Sequence, residues 1–568
     1  MSMSVTLAIA SMLDLDRFRD RAFRRGALPD HPLRTLADAQ KALADMAGSA
    51  PDAALAELTS LVKTMNETQA FSAERRACIL FALDEAARDL WGALGAQYLA
   101  PGGKPLARDG DVNILRAFFD SASEFTDGFA IAIDETPAEP SPWLRANLTR
   151  LYLRSLRWIG RRLALSHMLH LPVTGALWER LHWRYAAAER ANLANLVQPV
   201  LESNRYPSSP RQEYVRCLLL ELAAPDSMTA REVELAFRVT GRVAQCVRLE
   251  SQRSTSTVFG VVPASDSRPV PAGRLSTNVV PAPIFIDTSL CLPKLRAWLE
   301  RDMGRDPKEP DTLFPDFTLG ERFKMVDRLL QHWGMDPPQR RSRRVAMANP
   351  ARVISGFDNV VNVLPTFAQG ALPKSRDLQL QIDDTSQTLT RAKLRAARQV
   401  GAARVIDASN GGLGIALRPA DARWAALGAL VAVLIEPGKD WVVGVVRRIF
   451  SIDEELRLGV RVLSTRAQVI SLCPETVTRD SVWEDAMRFE ATFTDHFKRA
   501  IVLDPLSMPP HGGDLVVEPG LASKGSQFDV PLNGAMQRIR VSRMLHTGDS
   551  YHRMVYECLT HGNCLTRE

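Results

Sequence analysis

Apolar positions in the first half of the chain recur at intervals of three and four residues. The spacing is clear in TLADAQKALADMAG, DAALAELTSLVKTM, ERRACILFALDEAARDLWGALGAQYL and REVELAFRVTGRVAQCVRL. It predicts an all-helical region from about residue 35 to 250, broken at Pro51, Pro101, Pro172, Pro207 and Pro210. Successive helix pairs of this kind build a bundle or a solenoid-like stack, and no repeat of fixed length selects between the two. Near residue 252 the texture changes to Val, Thr, Ser and Pro in STSTVFGVVPASDSRPVPAGRLSTNVVPAPIFID, which predicts short strands and loops. Two further helices are expected over LCLPKLRAWLERDM and TLGERFKMVDRLLQHWG, the second stopping at Gly334 ahead of Pro337 and Pro338.

After residue 338 the period shortens to that of strands. ARVIDAS, GLGIALR, ALVAVLIEP, WVVGVVRRIF and LRLGVRVLS are separated by turn signals at Asn410-Gly411-Gly412, Gly438 and Asp453-Glu454. Antiparallel hairpins closing into a small barrel are the natural arrangement. FEATFTD, RAIVLDP, DLVVEPG, SQFDVPL and MQRIRVSRML continue the strand pattern toward the C-terminus. The expected fold class is therefore multidomain α+β. Its expected parts are a helical domain (1–250), a mixed connector with short strands and two helices (251–337), a β-barrel (338–470) and a β-rich C-terminal extension (471–568).

Composition narrows the function classes. A chain of 568 residues is long enough for several domains, and 46% hydrophobic with 24% charged residues is ordinary for globular protein. Lys plus Arg number 71 against 65 Asp plus Glu, a net charge of +6 that marks no obligate nucleic-acid binder. The seven cysteines are odd in number and mostly isolated, which favours reduced thiols and a cytoplasmic setting. The apolar N-terminal stretch has no basic residue before it and is closed by Asp14 and Asp16, unlike a signal peptide. No uncharged apolar run reaches the ~20 residues a transmembrane helix needs.

The charge that matters is local. QRRSRRV sets Arg340 and Arg344 in an RxxxR spacing after a helix stop, and VIDASNGGLGIAL sets Asp407, Ser409 and Gly412 in a DxSxxG spacing at a strand-to-strand turn. In this order, ahead of further strands, the segment from about 338 to 470 resembles the PilZ domain family. That resemblance implies a β-barrel receptor for the bacterial second messenger cyclic di-GMP, with Arg340, Arg344, Asp407, Ser409 and Gly412 as ligand contacts and Arg341 and Asn410 as accessory ones. The residue chemistry suits such a ligand. A guanidinium fork matches phosphate oxygens and the O6/N7 edge of guanine, and it stacks on purines. Asp407 can accept from guanine N1 and N2, Ser409 can donate or accept, and Gly412 permits a tight turn and close backbone approach. The 62 residues between Arg344 and Asp407 exceed the usual connection of the family and imply an insertion at about 357–400.

Other clusters compete for attention. Cys558, His561 and Cys564 form a CxxHxxC run, with His552 and His546 upstream, but two clean ligand pairs are lacking and no metal site is assigned. His167 and His170 share a helix face near His182 and read as structural. Arg145, Arg150, Arg154, Arg157 and Arg161 draw a basic stripe along one helix, expected as a solvated face with Glu or Asp partners and the main alternative interaction surface. Phosphate-cradling, nucleophile-elbow, HExxH and cyclase- or phosphodiesterase-like signatures are absent, so a binding protein is expected rather than an enzyme. The expected function is a cyclic di-GMP receptor or adaptor acting on a protein partner through its helical region, with no cofactor and no specific DNA binding. The alternative is a non-binding PilZ-like scaffold that works through the helical region and the basic stripe.

Overall fold

The computed structural model describes residues 30–98, 109–200, 207–263, 266–276, 281–303, 314–338, 343–365, 401–438, 440–452, 455–474, 498–504, 512–532, 535–548 and 550–559. The chain divides into two compact units at Gln339/Arg340. Among the described residues no helix is long and apolar enough to cross a membrane.

Among the described residues the first unit starts with eight helices: α1 (Leu36–Met46), α2 (Pro51–Glu67), α3 (Ala73–Tyr98), α4 (Asp109–Asp134), α5 (Pro142–Met168), α6 (Gly175–Arg190), α7 (Pro210–Leu222) and α8 (Ala230–Val243). Capping boxes start α1, α7 and α8, where Thr35, Ser209 and Thr229 accept from the third helical N–H and Asp38, Gln212 and Glu232 reach back. Helix α5 runs through the middle of the core and buries residues on most of its circumference, from Leu144 to Met168. Trp158 of α5 stacks on Phe125 of α4 at 4.6 Å and donates its indole N–H to Asp84 of α3 at 3.1 Å.

Four strands follow, β1 (Arg248–Glu250), β2 (Thr257–Val261), β3 (Val270–Pro271) and β4 (Ile284–Asp287), in a sheet of order β1-β4-β2-β3. Helices α9 (Cys291–Met303) and α10 (Leu319–Trp333) complete the unit. This mixed segment is not separate in its packing. Phe259, Ile286, Cys291, Leu295, Met325 and Trp333 join the same hydrophobic core as the helices.

The strands described in the second unit form two closed antiparallel barrels. The first is built from β5 (Val345–Ser355), β6 (Gly401–Ser409), β7 (Gly412–Leu417), β8 (Leu430–Ile435), β9 (Trp441–Ile452) and β10 (Glu455–Ser464), closing in the order β10-β7-β6-β5-β8-β9. Val353, Val405, Leu413, Ile415, Val433, Val446, Leu458 and Val460 fill it. Strand β5 starts immediately after Arg344, ahead of the first strand expected from the sequence, and helix α11 (Phe357–Val363) occupies the start of the expected insertion. The rest of that insertion lies outside the described residues, as does FEATFTD. The C-terminal extension folds as a barrel in its own right, from β11 (Gln468–Pro474), β12 (Lys498–Val502), β13 (Gly513–Val517), β14 (Gln527–Leu532), β15 (Ala535–Thr547) and β16 (His552–Leu559).

Candidate ligand-binding face of the first barrel

Strands β6 and β7 form a hairpin in which Ser409 faces Gly412 across the two residues Asn410 and Gly411. Alternate side chains on these strands enter the barrel, so their neighbours point outward. Directly opposed residues share a face, and three outward rows follow from the register. Ser409, Gly412 and Arg461 form one across β6, β7 and β10. Asp407, Gly414 and Gly459 form the second, and Arg404, Ala416 and Arg457 the third. The middle of this face is thus nearly free of side chains, while guanidinium groups stand at its margins.

Arg344, immediately before β5, brings its Nη1 to 2.6 Å from Oδ1 and 2.8 Å from Oδ2 of Asp407. Both side chains remain about a quarter exposed, so the pair is reachable from solvent. A Cβ on Gly414 would stand 2.6 Å from Asp407 Oδ1; the missing side chain is what lets the carboxylate lie across the sheet surface. At Gly412 a Cβ would come within 3.1 Å of the Val460 carbonyl oxygen. Ser409 Oγ donates a long bond of 3.4 Å to the Gly412 carbonyl, leaving its lone pairs available. On the outer row, Arg404 pairs with Glu455 at 2.9 Å. Arg461 is exposed and makes no ion pair with a described residue.

Of the ligand residues expected from the motifs, Arg344, Asp407, Ser409 and Gly412 therefore meet on one face, with Asn410 at its edge. Arg340 and Arg341 lie outside the described residues. One expected role is corrected: Gly412 is a strand residue, and neither it nor Gly411 takes the positive φ that a glycine-dependent turn requires. Its value is close approach to β10. Sequence reading missed Gly414, Gly459 and Arg461, because placing them on this face needs the β6–β7–β10 register. The GLGIAL and LRLGVRVLS strings carried only a strand signal.

The basic stripe, expected as a solvated face, is turned inward along most of its length. Arg154 is fully buried, 3.1 Å from Asp84 and also paired with Glu85. Arg150 reaches Glu85 at 3.3 Å, Arg157 reaches Glu213 at 3.7 Å and Arg161 reaches Glu234 at 2.6 Å. Burial alone would raise the carboxyls of Glu213 and Glu234. Arg216 and Arg157 around the first, and Arg161 and Arg238 around the second, outweigh it and hold both below the usual glutamate range. The physical reason is packing on all sides of α5, whose neighbours α3, α7 and α8 supply acids to each arginine. Only Arg145, bonded to the Pro140 carbonyl, stays exposed.

The histidines are interior as well. His167 lies 3.1 Å from Asp226 and 3.2 Å from Glu221, and His182 bridges the Tyr214 hydroxyl and the Ser267 carbonyl, both at 2.9 Å. Cys558 is the penultimate residue of β16 and His552 its first, while His561 and Cys564 lie outside the described residues.

Comparison with known families adds an independent finding. Residues 37–254, the helical region and the start of the following sheet, match the family model described as cyclic-di-GMP receptor FimW, N-terminal domain. No curated protein matches the chain.

Proposed function

We propose that this chain is a PilZ-type receptor for cyclic di-GMP and that the nucleotide binds on the outer β6–β7–β10 face of the first barrel. The observation that carries the reading is the Arg344–Asp407 pair laid beside a strip of glycines. The strip offers a flat surface for a purine ring, Asp407 offers acceptors for guanine N1 and N2, and Arg344 offers a fork for phosphate or for the guanine edge. Without ligand, the carboxylate and the guanidinium satisfy each other. Nucleotide binding exchanges that internal pair for one guanine contact and one phosphate contact, so neither charge is left bare. On binding, Arg340 and Arg341 would offer further guanidinium groups to the phosphates, and Arg461 supplies a cation in the row of Ser409 and Gly412.

The match of residues 37–254 to the N-terminal domain of a cyclic-di-GMP receptor supports the receptor role from a different part of the chain. In this proposal the protein binds and relays rather than catalyses, in the cytoplasm where the messenger is made, with no cofactor. Its helical unit presents a surface to a protein partner, and occupancy of the barrel alters that interaction. Motility, pili, adhesion and exopolysaccharide production are the outputs to which such a receptor is suited. Titration calorimetry with cyclic di-GMP tests the ligand. Binding that weakens by roughly tenfold to a hundredfold in Arg344→Ala and in Asp407→Ala, and by less in Arg461→Ala, supports the site; a folded wild type that takes up no nucleotide sinks the proposal.

The alternative scaffold reading loses the basic stripe as its interaction surface, since Arg150, Arg154, Arg157 and Arg161 are engaged inside the helical unit.

A further inference from the structure

Strand pairing in the two barrels follows one rule. Numbering the strands of each barrel from one to six, the first pairs 1-2, 2-3, 3-6, 6-5, 5-4 and 4-1 around its circumference, all antiparallel. The second pairs 1-2, 2-3, 3-6, 6-5, 5-4 and 4-1 as well, again all antiparallel. In both, the longest connection joins strands one and two, 356–400 in the first barrel and 475–497 in the second. Many circular orders are open to six antiparallel strands, and two adjacent segments of one chain share the same one. Only Thr465, Arg466 and Ala467 separate β10 from β11.

The shared order fixes which surfaces correspond. The ligand face of the first barrel spans strands two, three and six, so its counterpart spans β12, β13 and β16. Where the first barrel has the outward row Asp407, Gly414 and Gly459, the second has Ile501, Val516 and Arg553. Ile501 and Val516 are completely buried, and with Ala467, Val469, Leu503 and Tyr551 they pack outside their own barrel's core. What covers them is the first barrel: Ile354, Leu430, Ala432, Val443 and Val445 from the outer sides of β5, β8 and β9, and the apolar side of α11. Polar contacts also cross the seam, among them the Ser464 hydroxyl of β10 donating to the Leu503 carbonyl. The Val469 amide donates to the Pro365 carbonyl at 2.9 Å, and Arg499 Nη1 donates to Asn362 Oδ1 at 2.6 Å.

We infer that the C-terminal barrel is a second copy of the first and that it has given up the nucleotide face of that architecture for an apolar docking face gripping its neighbour. Each chain then carries one nucleotide face, and the second barrel acts as a brace. β11 is joined to β10 by a three-residue link, and the ion pair on the corresponding face, Arg553 with Asp514, runs between β16 and β13 rather than from a residue ahead of the first strand. In the row third from the turn between strands two and three, the first barrel has an acid and a glycine and the second has isoleucine and valine, which remove apolar surface from water when the barrels meet. The identification of the site-equivalent face rests on the proposed function; the docking itself does not.

Amide hydrogen exchange on the full chain, with and without cyclic di-GMP, separates the two parts. Val516→Glu places a charge in the seam, and Leu503→Ala is the milder variant should the first fail to fold. Exchange at least about tenfold faster at α11, β8 and β12 together, with the helical unit unchanged, is the expected result. A folded Val516→Glu chain with unchanged protection at α11 and β8 would overturn the docking face, whether or not nucleotide binds. For the nucleotide half, the double variant Arg344→Ala, Asp407→Ala is expected to bind nothing. Residual binding in it that shields β12 and β13 would overturn the conversion. A wild type that binds no nucleotide overturns the proposed function, while the seam measurement still decides the docking.

Discussion

Arginine does opposite work in the two units. In the helical unit Arg154 is sealed inside, with Asp84 and Glu85 as its partners and the Phe81 ring 4.6 Å from its guanidinium carbon. In the first barrel Arg344 holds Asp407 in a pair open to solvent. The residue types are the same and only the desolvation differs. A buried pair is hard to break and cannot be redirected, because any freed charge stays in a low dielectric. A surface pair is weak enough for a ligand to take over its members. Structural arginines and receptive arginines are thus separated by burial, not by spacing: RxxxR occurs at Arg150/Arg154, at Arg157/Arg161 and at Arg340/Arg344 alike.

The largest expected effect tests the buried side. Arg154→Ala leaves the buried Asp84 carboxylate without its paired cation, while Glu85 keeps Arg150, and burial already pushes the Asp84 carboxyl up against the pull of Arg154. A loss of about 3–5 kcal/mol in the stability of the helical unit is expected, read as a shifted denaturation midpoint. A shift no larger than that of a surface substitution would erase the contrast between the two arginine classes.

His167 sharpens the same side through pH. Burial by itself lowers its pKa, but the hydrogen bonds to Asp226 and Glu221 prevail and raise it to about 9. A group whose folded pKa lies above its unfolded value near 6.5 contributes fully below the unfolded value, and that contribution drains away as pH climbs through 9. Between pH 7 and 10 the helical unit should lose on the order of 3 kcal/mol. Denaturation midpoints against pH, compared with His167→Gln, check this; an equal slope in the variant would remove His167 from the account.

On the exposed side, Arg344→Ala should change stability by less than about 1 kcal/mol and weaken cyclic di-GMP binding by roughly tenfold to a hundredfold, the range for a hydrogen bond to a charged group. Calorimetry and a melting curve on the same sample give both numbers. A large stability loss with modest binding loss would place Arg344 with Arg154, against the comparison.

Much of the architecture was legible because it is local. Period-3.6 spacing marked α1 to α8, and the short runs around Asn410-Gly411 marked a hairpin whose two strands are β6 and β7. Closure of the C-terminal barrel was not legible, since it depends on pairing β13 with β16 and β11 with β14, strands far apart in the chain. The stripe shows the same limit: periodicity put the arginines of α5 on a helix, but Glu213 and Glu234 lie on helices many residues later. In the candidate site, Asp407 and Ser409 stood out by spacing. Arg461 and Gly414 did not, because only the register sets them beside the motif.

Gly414 offers the smallest effect and the most specific one. Its missing Cβ is what allows Asp407 to lie flat, since an added methyl would sit 2.6 Å from Oδ1. The carboxylate is partly exposed and free to swing away, so Gly414→Ala should alter folding by less than about 1 kcal/mol, and the reduced freedom of the unfolded chain offsets part of even that. Binding has less latitude. A displaced carboxylate no longer meets the guanine edge and Arg344 in one plane, and an affinity loss of roughly threefold to tenfold is expected from one imperfect charged hydrogen bond. An unchanged affinity would mean that the nucleotide does not read the flat carboxylate, and it would move the recognition toward the cationic margins of the face, where Arg344 and Arg461 stand.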